Sequence, residues 1–217
     1  CRGTSPADRR TPLAWRRRAE AAAAGQALGV EYITLDSHDG ALLPTLENRQ
    51  QVIAIIRAFQ PDLVMVHRPN DYHPDHRYVG VLVQDAAFMV TVPYVCTDVP
   101  PLKKNPLFLY SSDNFQKPYP FRADIVVSVD DVFDQKVNAI HEMPSQHYEG
   151  GASGSEEHLQ SVLPASAEAG RRAWLRKRWA QRQSGEANRH REQLVQWYGP
   201  TQGAAVIYAE AFEICEY

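Results

Sequence analysis

The chain has 217 residues, enough for one sizeable domain and few for two. It is 44% hydrophobic and 23% charged, which excludes a disordered or low-complexity chain. A net charge of −3 gives no field that would favour nucleic acid or an anionic membrane, and no run of about 18 apolar residues offers a membrane span.

The elements follow in chain order. Residues 1–11 are polar and read as a loop, and Pro12 suits the first turn of a helix. LAWRRRAEAAAAGQALG (13–29) is rich in helix formers and stops at Gly29, a natural cap. VEYITLD (30–36) is β-branched and aromatic and predicts a strand, followed by the turn SHDG (37–40). LENRQQVIAIIRAFQ (46–60) sets Leu46, Val52, Ile53, Ile56 and Phe59 on one helical face, with Pro61 as breaker. LVMVH (63–67) is a continuous apolar run, which predicts a strand buried on both faces. A helix is expected from about Pro74 to Phe88. VPYVC (92–96), LFLY (107–110) and DIVVSV (124–129) predict further strands. DDVFDQKVNAIHEM (130–143) predicts a helix opening on an aspartate cap. GGASGSE (150–156) reads as a loop, and 156–197 as charged helix interrupted by LPASAEAG. AAVIYAEAFEI (204–214) predicts a closing strand.

Helices alternating with short apolar strands imply an α/β, Rossmann-like fold: a mainly parallel sheet with helices on both faces. Sites in such sheets lie at the carboxyl ends of strands. NDYHPDHR (70–77) occupies such a place, directly after the strand 63–67. With Pro74 at the first helical position, His73 is the N-cap and His76 lies in the first turn, where the helix dipole favours an anion. Neutral imidazoles there suit a catalytic zinc, with Asp75 as an outer partner. The same residues also suit plain capping and local hydrogen bonds. His67 reads either as a hydrogen-bonded core histidine or as a neighbour of the site. RRAWLRKR (171–178) reads as a solvated helix stripe. Cys1, Cys96 and Cys215 lie far apart with no CxxC, so a reducing, cytoplasmic compartment is the expectation.

NDYHPDHR in its context resembles a signature of the PIG-L/LmbE-like family of zinc-dependent N-deacetylases. RRAEAAAAGQALGV (17–30), LDSHDG (35–40), IRAFQPDLVMVHRPNDYHPDHR (56–77), KVNAIHEMPSQHYE (136–149) and YAEAFEI (208–214) resemble further family segments, so the likeness runs along nearly the whole chain. The resemblance implies one PIG-L/LmbE-like domain over 1–217 and a divalent metal, zinc. It also implies a small N-acetylated, sugar-like substrate, with no nucleic acid as partner. It makes His76 a metal ligand, His73 and Asp75 catalytic, and Arg17, Glu20 and Asp39 substrate-binding. Two departures stand out. Met143 replaces the histidine of the family's HxSQ, and the family's N-terminal strand with its AHPDD-type motif has no counterpart here. The resemblance therefore implies an N-terminally incomplete domain, missing one or two strands, that is inactive by itself. A non-catalytic remnant or binding module of the same fold is the competing reading. Open sheet edges would permit a homo-oligomer.

Overall fold

The computed structural model describes residues 12–150 and 155–217. The loop expected at 1–11, Cys1 with it, and the glycine-rich 151–154 lie outside the described residues. Helices α1 (Pro12–Leu28), α2 (Leu46–Phe59) and α3 (Pro74–Met89) carry the first half, with strand β1 (Leu63–Val66) between α2 and α3. Strands β2 (Leu107–Ser111) and β3 (Ile125–Ser128) follow. Then come α4 (Phe133–His141), α5 (Pro144–His147), α6 (Glu156–Ser161), α7 (Glu168–Arg189), α8 (Arg191–Tyr198), α9 (Pro200–Ala205) and strand β4 (Ala209–Ile214). The sheet order is β1-β2-β4-β3, with β1 parallel to β2 and β2 antiparallel to β4. The α/β class expected from the sequence is borne out.

Among the described residues, contacts cluster in two compact units, one falling within 1–36 and 128–209, the other within 37–127 and 210–217. The second unit has its core around Ile53, Ile56, Val83, Ala86, Val90, Phe108 and Tyr110, where α2 and α3 pack on β1 and β2. The first has its own around Phe133, Val137, Ile140, Tyr148 and Leu175.

Helix ends follow their sequence signals. α1 closes in a Schellman motif: Val30 N–H bonds the Gly25 carbonyl at 2.9 Å and Gly29 N–H bonds that of Gln26 at 3.1 Å. Gly29 sits at φ 71°, which a side chain would resist. Thr45 caps α2 by accepting from Asn48 N–H. His73 is the N-cap of α3 and Pro74 its first residue, as the sequence predicted.

Four expectations are corrected. Residues 30–36 form no strand; Val30, Tyr32 and Ile33 are more than half exposed, and among the described residues no strand lies alongside them. Composition supplies β-propensity, but a strand exists only where a partner accepts its ladder. β1 is not buried on both faces: among the described strands it is the outermost, with Leu63 and Met65 exposed and Val64 and Val66 turned to the core.

Residues 92–96 are turns, and the reason is Arg57. This arginine is 1% exposed and donates to the carbonyls of Met89, Val90, Val92, Val95, Cys96 and Val99. Carbonyls that converge on one guanidinium cannot point alternately outward as a strand requires. Finally, Asp130 does not cap α4. Its carboxylate accepts from Ile207 and Tyr208 N–H, and so fastens the entry to β4.

Candidate metal and catalytic site

The loop between β1 and α3 is built by its own side chains. Asp71 Oδ1 accepts from His73 N–H at 2.9 Å and faces His76 Nδ1 at 3.1 Å. Arg77 donates to the Asp71 and Tyr72 carbonyls. Gly80 lets the loop lie on α3: a Cβ there would stand 2.7 Å from the His67 carbonyl oxygen. The His67 ring stacks on His76 at 4.6 Å and 16°. His67 is exposed as a residue, yet partial desolvation of its ring, and then the neighbouring His76, push the imidazole below its ordinary value. His67 is thus a wall of the histidine cluster rather than a lone core residue. Tyr72, 68% exposed, sets its ring against both His73 and His76.

Asp75 does not send its carboxylate to His73. It accepts from Gly40 N–H at 2.7 Å and Leu42 N–H at 3.1 Å, while its own N–H donates to His73 Nδ1 at 3.3 Å. The turn it tethers, with Gly40 at φ 77°, carries Asp39, whose Oδ1 lies 3.8 Å from His73 Nε2. The structure therefore brings Asp39, His73, Asp75 and His76 together. Two groups of side chains could each hold a metal ion, His67 with Asp71 and His76, and Asp39 with His73 and Asp75; within each, the ligand atoms lie within 4.8 Å of one another. Imidazole and carboxylate donors suit zinc and other borderline divalent ions. Asp71 was the residue that sequence reasoning passed over. Its signal was present as an acid ahead of HPDH, but spacing does not reveal that the side chain folds back onto His76.

Arg17 and Glu20 sit on α1, in the other unit. Glu20 is 8% exposed and accepts from Ser145 Oγ at 2.5 Å and from Ser145 N–H, while Arg16 Nε lies 2.9 Å away. Arg16 also forks onto both oxygens of Glu149, at 2.6 and 2.8 Å. The RRAE and SQHYE segments thereby meet in one clamp. Beside it lies a cavity of ≈ 430 Å³ lined by Glu20, His141, Pro144, Tyr148, Glu168 and Arg171. His141 Nδ1 is 2.8 Å from the Tyr148 hydroxyl; burial lowers the imidazole's pKa and raises the phenol's to about 12. Met143, at the place of the family histidine, packs on the Phe133 cluster and offers its carbonyl to Gln146 and His147 N–H. No described helix is long and apolar enough to cross a membrane.

Residues 2–87 match the sequence model of the PIG-L family, described as GlcNAc-PI de-N-acetylase, which bears out the family resemblance. A diacetylchitobiose deacetylase of Thermococcus kodakarensis is 27% identical over 154 residues, 69% of this chain and 57% of that protein. The chain thus spans little more than half the length of this curated relative. Among solved structures, the N,N'-diacetylchitobiose deacetylase of Pyrococcus horikoshii aligns over 94% of this chain and 64% of its own, at TM-score 0.62 and 22% identity. GalB of Pseudomonas putida, a 4-carboxy-2-hydroxymuconate hydratase, aligns over all of this chain and 80% of its own, at TM-score 0.65 and 21% identity. These structural likenesses speak for the fold, and the last shows the fold serving another reaction.

Proposed function

We propose that this chain belongs to a metal-dependent N-deacetylase, one PIG-L/LmbE-like domain over 1–217, acting on an N-acetylglucosamine-type amide. The observation that carries the reading is the pairing of His73 and His76 at the N-terminus of α3, each beside a carboxylate. Zinc is the proposed metal, with His76 as ligand; when bound, it supplies Lewis-acid polarisation and eases ionisation of a water.

The chain's own groups account for the rest. His73, facing Asp39 and next to the N–H groups that open α3, stabilises the negative charge that develops as the amide carbonyl becomes tetrahedral. Asp75 acts by holding the 37–42 turn, and hence Asp39, against His73. A carboxylate base for water comes from an HPDD-type segment, which this sequence does not contain. The chain by itself accordingly binds zinc weakly and is inactive. A cytoplasmic location and a small sugar-like partner belong to the same proposal.

The test is acetate release from diacetylchitobiose by the product of the complete reading frame, loaded with zinc. Turnover is expected, with loss of at least about 100-fold in His73→Ala. No turnover with zinc bound would favour the remnant or binding-module reading. Turnover by residues 1–217 alone would sink the proposed dependence on an HPDD-type segment.

A further inference from the structure

The Asp71 oxygen that faces His76 also accepts the His73 backbone N–H. A carboxylate only accepts, so the contact with His76 Nδ1 requires the imidazole to be the donor there. A neutral His76 with its proton on Nδ1 has its lone pair on Nε2. The Asp71 side chain is 12% exposed, its Oδ1 is held by the His73 N–H, and its backbone carbonyl is held by Arg77, so the carboxylate is anchored in the loop. The stacked His67 ring and the edge of Tyr72 leave His76 little freedom to turn over.

We propose that Asp71 is a positioning residue that fixes the tautomer of His76, holding the proton on Nδ1 and presenting Nε2 to the metal. This rests on the reading of His76 as a ligand. Asp71 is a ligand-capable group itself, but the oxygen that faces His76 is already taken by two N–H donors and serves the imidazole. Histidine ligands are commonly set by such outer carboxylates, whose loss costs roughly 10–100-fold in metal affinity.

The experiment is long-range ¹⁵N–¹H correlation on ¹⁵N-histidine-labelled chain at a pH where the imidazoles are neutral, before and after adding zinc chloride. The wild type is expected to show a protonated Nδ1 and an unprotonated Nε2 at His76. Asp71→Ala is expected to populate the other tautomer, and Asp71→Asn, whose amide oxygen still accepts, to retain part of the native one. A protonated Nε2 in the wild type overturns the proposal even if the variants do not fold. So does an unchanged tautomer in a folded Asp71→Ala. Zinc in excess large enough to load even a weak site that leaves the His76 signals untouched, in a chain with the expected tautomer, would count against the metal reading and leave the role of Asp71 standing.

Discussion

Arg57 and Arg68 lie in the same compact unit, are each 1% exposed, and have their charge met in opposite ways. Arg57 meets six backbone carbonyls and no carboxylate in its hydrogen-bonding shell. Two of those carbonyls, of Met89 and Val90, end α3, so its charge rests on a helix C-terminus and a curled loop. Arg68 instead pairs with Asp113 at 3.0 Å and Glu213 at 3.2 Å, donates to the Tyr119 carbonyl, and lies over the Tyr119 ring. One arginine shapes a loop by gathering dipoles; the other ties a loop and a strand together by gathering charges. The difference predicts different kinds of failure.

The largest effect is expected from Arg57→Met. It takes the guanidinium from six inward carbonyls: those of Met89, Val90, Val92 and Cys96 keep a backbone N–H donor, while those of Val95 and Val99 lose theirs, a loss of about 3–5 kcal/mol by denaturant titration. Arg57→Lys should recover only part, because an ammonium has three donors where the guanidinium has five. Arg68→Met is expected to cost about 3 kcal/mol, since it strands two partly buried carboxylates. Here rescue is possible: adding Asp113→Asn and Glu213→Gln should return a good part of the loss, a coupling read from a mutant cycle. Rescue of Arg57→Met by those same changes would erase the distinction between the two sites.

Gly80→Ala ranks next, at about 1–3 kcal/mol, because a Cβ there meets backbone: the His67 oxygen at 2.7 Å and the Arg68 carbonyl carbon at 3.2 Å. Since the push is on the histidine loop, metal affinity should fall more than the melting temperature suggests. The smallest effect involves neither arginine. His141 has its pKa lowered from 6.5 by burial and then by Arg172, so the unfolded chain binds its proton more readily. Its contribution to stability is therefore full above about 6.5 and is lost as pH falls through that value toward the folded one. His141→Gln should flatten the slope of stability against pH in that window, and an unchanged slope would assign it to other groups.

Much of this was legible from residues in order. The cap at His73, the first turn at Pro74, the stop at Gly29 and the strands at 63–66 and 107–111 follow from local chemistry. What stayed hidden was set by distant partners. Residues 92–96 have strand composition, yet Arg57 on α2 takes their carbonyls. Residues 30–36 lack a neighbour among the described strands. Within the site, HPDH announced its imidazoles, but the partner of each was not in the spacing: Asp75 went to the turn at Gly40, and Asp71 to His76.

The bare margin of β1 has a practical side. Leu63 and Met65 stand exposed on the outermost described strand, and Val30, Tyr32, Ile33 and Leu35 are exposed elsewhere on the chain in a segment that is neither helix nor strand. Unladdered backbone beside apolar side chains is a template for any passing copy of itself. Purified at high concentration, residues 1–217 should cloud and sediment long before they unfold, and a drop of mild detergent should do more for their shelf life than any added salt.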